Sequence, residues 1–245
     1  MTVVKIIGIT GSQGNPPLNP NQSGSGVGKD TLADMLASHY GYKHIKFANS
    51  LRDLFYEDFG LPSQKKRNKT FEFGYPDKEY QLQKSSPRYV QLFNEGFTEL
   101  VDDLILNESL IEYAGILRSY NSNIFVIETL KSIIQTVKNS KKPYVKIVLS
   151  DVRQFNEFLL LKAMSGTVLE IWRTVALRDR QALDCQLLAF TDLYIHNNRT
   201  IESLSKYVAG QSFSIRENNF QKTSLEKLEF LLKGYLNEFP FNSQL

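Results

Sequence analysis

The chain has 245 residues, 42% of them hydrophobic, and a formal net charge of +3 at pH 7, so it can bury a large core but gives no charge argument for nucleic-acid binding. Its one cysteine, Cys185, excludes an internal disulfide and fits a reducing compartment. No apolar stretch approaches the ~20 residues of a membrane span and no signal peptide is visible, so we expect a cytoplasmic protein without a membrane partner.

The first elements enclose a glycine-rich segment. Val3–Thr10 is a β-branched apolar run that predicts a buried parallel strand. Later comes Gly24-Ser-Gly-Val-Gly-Lys-Asp-Thr31, which leads directly into an amphipathic helix over 32–40. Backbone N–H groups of such a turn surround phosphate oxygens, the lysine reaches the outer phosphates, and the helix N-terminus favours their charge. This order predicts a nucleoside triphosphate site, whose expected contacts are Gly11, Gly26, Val27, Gly28, Lys29, Asp30 and Thr31.

The match to the strict phosphate-loop pattern G-x-x-x-x-G-K-[ST] is incomplete. Ser23 stands where the pattern needs its first glycine, and Asp30 replaces the hydroxyl residue, which follows one position later as Thr31. Gly11 can serve as the first glycine if the loop is longer by about twelve residues, roughly 12–23. This stretch is rich in Pro, Asn, Gln and Ser, so we expect a surface excursion. The alternative is a flexible linker before a helix, with its lysine merely solvated.

The rest of the chain alternates predicted strands and helices. We expect strands over 43–48, 144–151, 167–173 and 193–196. We expect helices over 51–59 with Ser50 as N-cap, from 88 to about 117 with breaks, and over 124–138, 155–164, 200–208 and 224–236. This alternation indicates an α/β fold, a mostly parallel sheet with helices on both faces. Ligands of such sheets lie at the carboxyl ends of the strands, so we expect Gly11, Ala48, Asp151 and Arg173 to converge on one cleft.

Asp151 and Arg153 follow the apolar strand over 144–151. A carboxylate at this position can hold Mg²⁺ beside phosphates bound by Lys29, and Arg153 can neutralise phosphoryl charge. The alternative is that Asp151 only caps the next helix. Other notable residues indicate no chemistry, since the three histidines have no metal-ligand spacing, and we expect packing or surface roles for His39, His44 and His196.

Five segments, taken in order, resemble the deoxynucleoside monophosphate kinases of tailed bacteriophages, within the nucleoside monophosphate kinase branch of phosphate-loop proteins. They are Gly28-Lys-Asp-Thr31, Phe47-Ala-Asn-Ser-Leu-Arg-Asp53, Arg88-Tyr-Val-Gln-Leu92, Asp151-Val-Arg-Gln-Phe-Asn-Glu157 with the strand over 168–173, and Asp192-Leu-Tyr-Ile-His-Asn197 leading to 200–204. The last segment is shared with dephospho-coenzyme A kinases, so it supports the branch more than the substrate. Asn94 and Arg199 depart from the family, which often has a Gly-Thr pair and a glycine there.

The resemblance implies one phosphate-loop kinase domain over 1–245, with a helical acceptor-binding insertion at about 50–140 and a lid at about 174–190. It implies that ATP, the co-substrate, gives its γ-phosphate to a deoxynucleoside monophosphate, with Mg²⁺ as cofactor. The implied catalytic residues are Lys29, Arg153, Arg173, Arg178 and Arg180. The implied acceptor contacts are Phe47, Arg52, Arg88, Gln91, Asp151 and Arg153, with Asn197 near the adenine of ATP and Thr31 and Asp151 at the metal.

Two alternatives remain open at this stage. One is a kinase of another small phosphorylated acceptor, such as dephospho-coenzyme A or phosphomevalonate. The other is a nucleotide-binding module without transfer activity, which the altered loop and the substituted Asn94 and Arg199 motivate. The expected partners are small nucleotides, with a homodimer possible because it is common in the resembling family. The resemblance also implies a phage protein that acts in the cytoplasm of its bacterial host.

Overall fold

The computed structural model describes residues 2–13, 27–58, 106–173, 191–197 and 200–238. Its strands are β1 (Val3–Gln13), β2 (Lys43–Lys46), β3 (Tyr144–Ser150), β4 (Thr167–Arg173), β5 (Leu193–His196) and β6 (Thr223–Ser224). Its helices are α1 (Lys29–Tyr40), α2 (Phe47–Asp58), α3 (Leu106–Tyr120), α4 (Ile124–Ser140), α5 (Phe155–Ala163), α6 (Ile201–Ala209), α7 (Gln211–Asn218) and α8 (Leu225–Glu238). The chain divides into two compact units, Met1–Phe47 with Val126–Gly234 and Ala48–Phe125 with Tyr235–Leu245.

The first unit contains a six-stranded sheet in the order β2–β3–β1–β4–β5, with β6 antiparallel to β1 and all other pairs parallel. Helix α1 packs on β1, β2 and β3, and α5 packs on β1 and β4. Ile7 and Ile9 share a core cluster with Leu32 of α1, whereas a Cβ at Gly8 would meet Leu161 of α5 at 2.1 Å. Because neighbouring residues of a strand point to opposite faces, α1 and α5 cover opposite faces. The prediction of a mostly parallel α/β sheet is confirmed.

The strand order fixes where a ligand is expected. From β1 the chain crosses through α1 to β2 on one side, and from β3 it crosses through α5 to β4 on the other side. Strands β1 and β3 are neighbours, so the direction of winding reverses between them. Open α/β sheets bind ligands outside the carboxyl ends of the strands at such a switch point. The glycine-rich segment and Asp151 belong to these two strand ends.

Strand β2 is shorter than predicted. It ends at Lys46, which pairs with Ser150, and Phe47 and Ala48 already belong to α2. The reason is that Asp151 takes a φ of 62°, which ends β3 and removes the partner that a longer β2 would need. The prediction that Ala48 ends a strand and that Ser50 caps the next helix was therefore wrong.

Strand β1 is longer than predicted, because its pairing with β4 continues from Gly11–Ile171 to Gln13–Arg173. Gly11 therefore lies inside a strand rather than at its end. Helix α7 and strand β6 were not predicted from the sequence. Of the helix predicted from 88 to about 117, the part before 106 lies outside the described residues.

A buried cluster of charges joins the sheet to α7. Lys5 and Glu217, exposed by 2% and 1%, form an ion pair with 3.0 Å between Nζ and Oε1. The Tyr42 hydroxyl donates to the same oxygen at 2.6 Å, and Lys146 approaches it at 3.1 Å. Burial alone would raise the pKa of Glu217, but the hydrogen bonds from Tyr42, Lys5 and Lys146 outweigh it and lower that pKa. One carboxylate thus binds three donors, which come from β1, from β3 and from the segment between α1 and β2.

In the second unit, the ring of Phe55 in α2 packs edge-on against Tyr113 of α3, with 5.3 Å between centroids. The guanidinium of Arg118 lies over the ring of Phe125 at 4.9 Å. Within the described part of the chain, no helix has the length and apolar character needed to cross a bilayer.

Candidate phosphate-binding site

Helix α1 begins where the glycine-rich segment passes the end of β1. Gly28 has φ 104° and ψ 23°, and its carbonyl accepts the first helical hydrogen bond, from Leu32 at 2.9 Å. The N–H groups before Leu32 have no partner within the helix and form an electropositive end. A Cβ at Gly11 would lie 2.5 Å from Cγ2 of Val27, so glycine lets the loop lie directly on β1. Gly11 lies within β1 and next to the start of α1, and its role as the first glycine of the loop stays a prediction.

Replacing Gly28 with alanine is expected to lower the free energy of unfolding by about 3 kcal/mol. The left-handed φ of 104° disfavours any side chain, and the new Cβ would lie 2.7 Å from Nδ2 of Asn197. Gly41→Ala is the matched control, because Gly41 has φ 73° but no atom within 4 Å of the built Cβ. That variant carries only the backbone penalty, about 1 kcal/mol. Equal losses in urea denaturation would show that the contact with Asn197 is unimportant.

Lys29 is the first residue of α1 and is 6% exposed. Its Nζ lies 3.9 Å from Oδ1 of Asp151. Burial, reinforced by the charge of Arg153 and partly opposed by Asp151 and Asp30, lowers the pKa of Lys29 to about 8. The ammonium is therefore charged at neutral pH, and an anionic ligand would raise its pKa.

A tight turn after β3 brings Asp151 and Arg153 together. Nη2 of Arg153 donates to Oδ1 of Asp151 at 3.3 Å, so this oxygen lies between two cations. The turn is held from below by Glu157, 4% exposed, whose Oε2 accepts from the backbone N–H groups of Arg153 and Gln154 at 2.7 and 3.0 Å. The positive φ of Asp151 is a strained conformation of the kind found at functional sites. Glu157 therefore fixes the backbone that carries both predicted residues.

Asp30, which the sequence predicted as a contact of the nucleotide, is bound by two neighbours. Lys46 donates to Oδ2 at 2.7 Å, and the Ser150 hydroxyl donates to Oδ1 at 2.8 Å. Burial raises the pKa of Asp30, but these hydrogen bonds outweigh burial and lower it. The carboxylate thus joins the start of α1 to the ends of β2 and β3.

Asn197 supports the loop from the other side of β1. Its Nδ2 donates to the carbonyl of Val27 at 2.6 Å, and its backbone N–H donates to Trp172 at 2.8 Å. The residue is 8% exposed. In this structure the side chain holds the segment just before Gly28, and the predicted contact with adenine stays a prediction.

The other predicted site residues lie in several places. Thr31 is in the first turn of α1, Arg173 ends β4, and Phe47 is 3% exposed at the start of α2. Arg52 lies in α2, within the second unit. Outside the described residues are Gly26, Arg88, Gln91, Arg178 and Arg180. Sequence reasoning missed Lys46, Ser150 and Glu157, although a lysine at a strand end and a serine beside Asp151 were available signals.

Comparison with known proteins adds no assignment: no family model and no curated protein matches this sequence. What the structure defines is a class, an α/β protein with a mostly parallel sheet, compatible with a phosphate-loop fold. A buried lysine, an aspartate and an arginine lie together at its switch point.

Proposed function

We propose that this protein is an ATP-dependent kinase that transfers the γ-phosphate to a deoxynucleoside monophosphate. The observation that supports it most is the buried ammonium of Lys29, at the N-terminus of α1 and 3.9 Å from Asp151. A buried cation at the N-terminal end of a helix is suited to bind a phosphate chain. The choice of acceptor comes from the resemblance in sequence.

Phosphoryl transfer needs positioning and neutralisation of charge more than acid–base chemistry. In the proposed complex, the N–H groups of the first turn of α1 bind the β-phosphate and Lys29 bridges the β- and γ-phosphates. Arg153, now on Asp151, turns to the transferring group, where a guanidinium matches phosphate oxygens in pairs. Arg52 and Arg173 stay proposed contacts of the acceptor and of the transferring group.

The residues present fit Mg²⁺. No group of three or more acidic, histidine or cysteine side chains in the described ranges is arranged to hold an ion alone. Mg²⁺ in kinases needs only one or two protein oxygens in addition to phosphates and waters, which the Asp151 carboxylate and the Thr31 hydroxyl offer. When bound, the ion would neutralise phosphate charge. Glu157 then keeps the Asp151 turn in place for it.

The direct test is an acceptor panel. The purified protein is incubated with Mg²⁺-ATP and each of dAMP, dGMP, dCMP, dTMP and their ribo forms, and ADP release is measured. Acceptor-dependent ADP with a preference for deoxy forms supports the proposal. ATP binding without turnover on this panel would reject it in favour of another acceptor, such as dephospho-coenzyme A, or of an inactive module.

The lowered pKa of Lys29 predicts a pH dependence for ATP binding. Phosphates favour the ammonium, so the pKa of Lys29 rises when ATP binds, and binding above the free value of about 8 takes up a proton. We therefore expect affinity to be flat just below that pH and to fall by up to about tenfold per pH unit above it. Calorimetric titration from about pH 7 to 9.5 measures this.

Lys29→Arg is the control for this titration, because a guanidinium stays charged over the whole range. Its affinity should change little with pH. An equal fall in the arginine variant would place the titrating group elsewhere.

The proposed setting is the cytoplasm of a bacterial host, with nucleotides as partners and a homodimer as the possible assembly.

A further inference from the structure

Five polar side chains form a continuous chain of contacts beside the candidate site. Nδ1 of His44 lies 3.0 Å from Oδ1 of Asp34, and Nε2 lies 2.8 Å from the hydroxyl of Ser150. Ser150 donates to Asp30 at 2.8 Å, and Asp30 also binds Lys46 at 2.7 Å. The chain joins α1, β2 and β3, and it includes a histidine for which the sequence indicated only a packing or surface role.

The carboxylates among these five side chains determine which atoms carry protons. Carboxylates accept hydrogen bonds and donate none, so the single hydroxyl proton of Ser150 is used on Asp30. Ser150 must then accept from Nε2 of His44, which therefore carries a proton. Nδ1 faces the Asp34 carboxylate, another acceptor, so it carries a proton as well.

We infer that His44 is an imidazolium within these five contacting side chains and that it acts as a positioning residue for the phosphate site. The positioning role rests on the proposed function. Asp30 directly follows Lys29, and Ser150 directly precedes Asp151. The hydrogen bond between Asp30 and Ser150 therefore fixes the spacing of the two residues that face the phosphates. His44 orients Ser150 for that bond.

Several charged groups face the ring of His44. From α1, Asp34 lies 3.0 Å and Asp30 3.9 Å from the ring nitrogens of His44. On the histidine's own strand, Lys46 is paired with Asp30, and Ser150 of β3 is neutral. The chain thus contains two carboxylates and, with the imidazolium, two cations. The side chain of His44 is 15% exposed, but those of Asp34 and Asp30 are 72% and 48% exposed, so water screens these pairs.

Two measurements on the full chain test the inference. Long-range ¹H–¹⁵N spectra separate an imidazolium from a neutral ring, and the chain has only three histidines, so loss of one signal set in His44→Ala assigns it. Calorimetry then compares ATP affinity. His44→Ala should bind ATP roughly tenfold more weakly, and His44→Gln, which can still donate to Ser150, should recover part of that loss. His39→Ala, an exposed histidine on α1, is the control and should bind as the wild type does.

Asp34→Asn provides a second, mild variant at a side chain that is 72% exposed, in case the histidine variants fail to fold. It should weaken the hydrogen bond that Nδ1 of His44 makes to residue 34, and it should weaken ATP binding by a smaller factor than His44→Ala does. A neutral His44 ring in the wild type, or unchanged ATP affinity in folded His44→Ala, would overturn the inference. Failure of the wild type to bind ATP would reject the proposed function and the positioning role together. The ¹H–¹⁵N spectrum would still show, independently of ATP binding, whether the His44 ring is an imidazolium.

Discussion

Lys29→Ala is expected to lower kcat/KM for ATP by roughly 10³-fold or more. The variant removes the one cation that the structure places both at the start of α1 and beside Asp151 within its described residues. It should leave the fold intact, because burial already disfavours the charged form of Lys29, whose pKa falls to about 8. We expect the free energy of unfolding to change by less than about 1 kcal/mol. ADP release with the preferred acceptor, and urea denaturation, measure the two effects.

Lys43→Ala is the matched control, since Lys43 is an exposed lysine at the start of β2, away from the strand ends that form the site. It should turn over as the wild type does. Folded Lys29→Ala with near-full activity would contradict the proposed mechanism. An equal loss in Lys43→Ala would indicate a general effect of lysine charge rather than a specific contact.

Glu217→Ala is expected to lower the free energy of unfolding by about 3–5 kcal/mol. The substitution leaves the ammonium of Lys5, 2% exposed, without its carboxylate and removes the acceptor of the Tyr42 hydroxyl. An uncompensated buried charge costs far more than a lost surface pair. Urea denaturation measures the loss, and Glu202→Ala, at an exposed glutamate of α6, should stay within about 0.5 kcal/mol of the wild type.

The double variant Lys5→Met with Glu217→Gln separates the missing charge from a packing defect. It removes both charges, and glutamine can still accept from Tyr42, so much of the stability should return. No recovery would mean that shape rather than charge causes the loss.

The stability that Glu217 contributes depends on pH. Because the pKa of Glu217 is lowered in the folded protein, its contribution to stability is present above the ordinary value of 4.5 and is lost as the pH falls through the folded value. The wild type and Glu217→Gln should therefore converge in acid.

Much of the sheet could be predicted because its signals are local. The strands predicted over 144–151, 167–173 and 193–196 matched β3, β4 and β5 to within a residue. Strands β3 and β4 are largely buried and carry continuous apolar sequences, whereas β5 is partly exposed. The end of α1 at Tyr40 was also predicted, and there Gly41 takes φ 73° and its N–H donates to the carbonyl of Ala37. Strand β2 was less predictable, since its end depends on where its partner β3 stops.

Some residues of the candidate site could be predicted from local patterns, and others could not. Gly28, Lys29 and Asp151 were predicted because a glycine-rich turn before a helix and a carboxylate after a strand are patterns within a few residues. Glu157 is near enough in sequence to have been found as the acceptor for the turn before α5. The contact of Lys46 with Asp30 and that of Ser150 with Asp30 join positions 16 and 120 residues apart, and no local pattern encodes them.

By itself, the sequence determined the class of fold, the position of the glycine-rich turn and the residue types at the strand ends. It did so because periodicity, β-branching and glycine conformations act over a few neighbouring residues. Only the tertiary structure decided that Lys29 faces Asp151, that Asp30 binds Lys46 and Ser150, and that His44 completes their chain. These contacts depend on the parallel register of β2 with β3 and of β3 with β1. That register is set by many weak interactions along the whole sheet rather than by a few neighbouring residues.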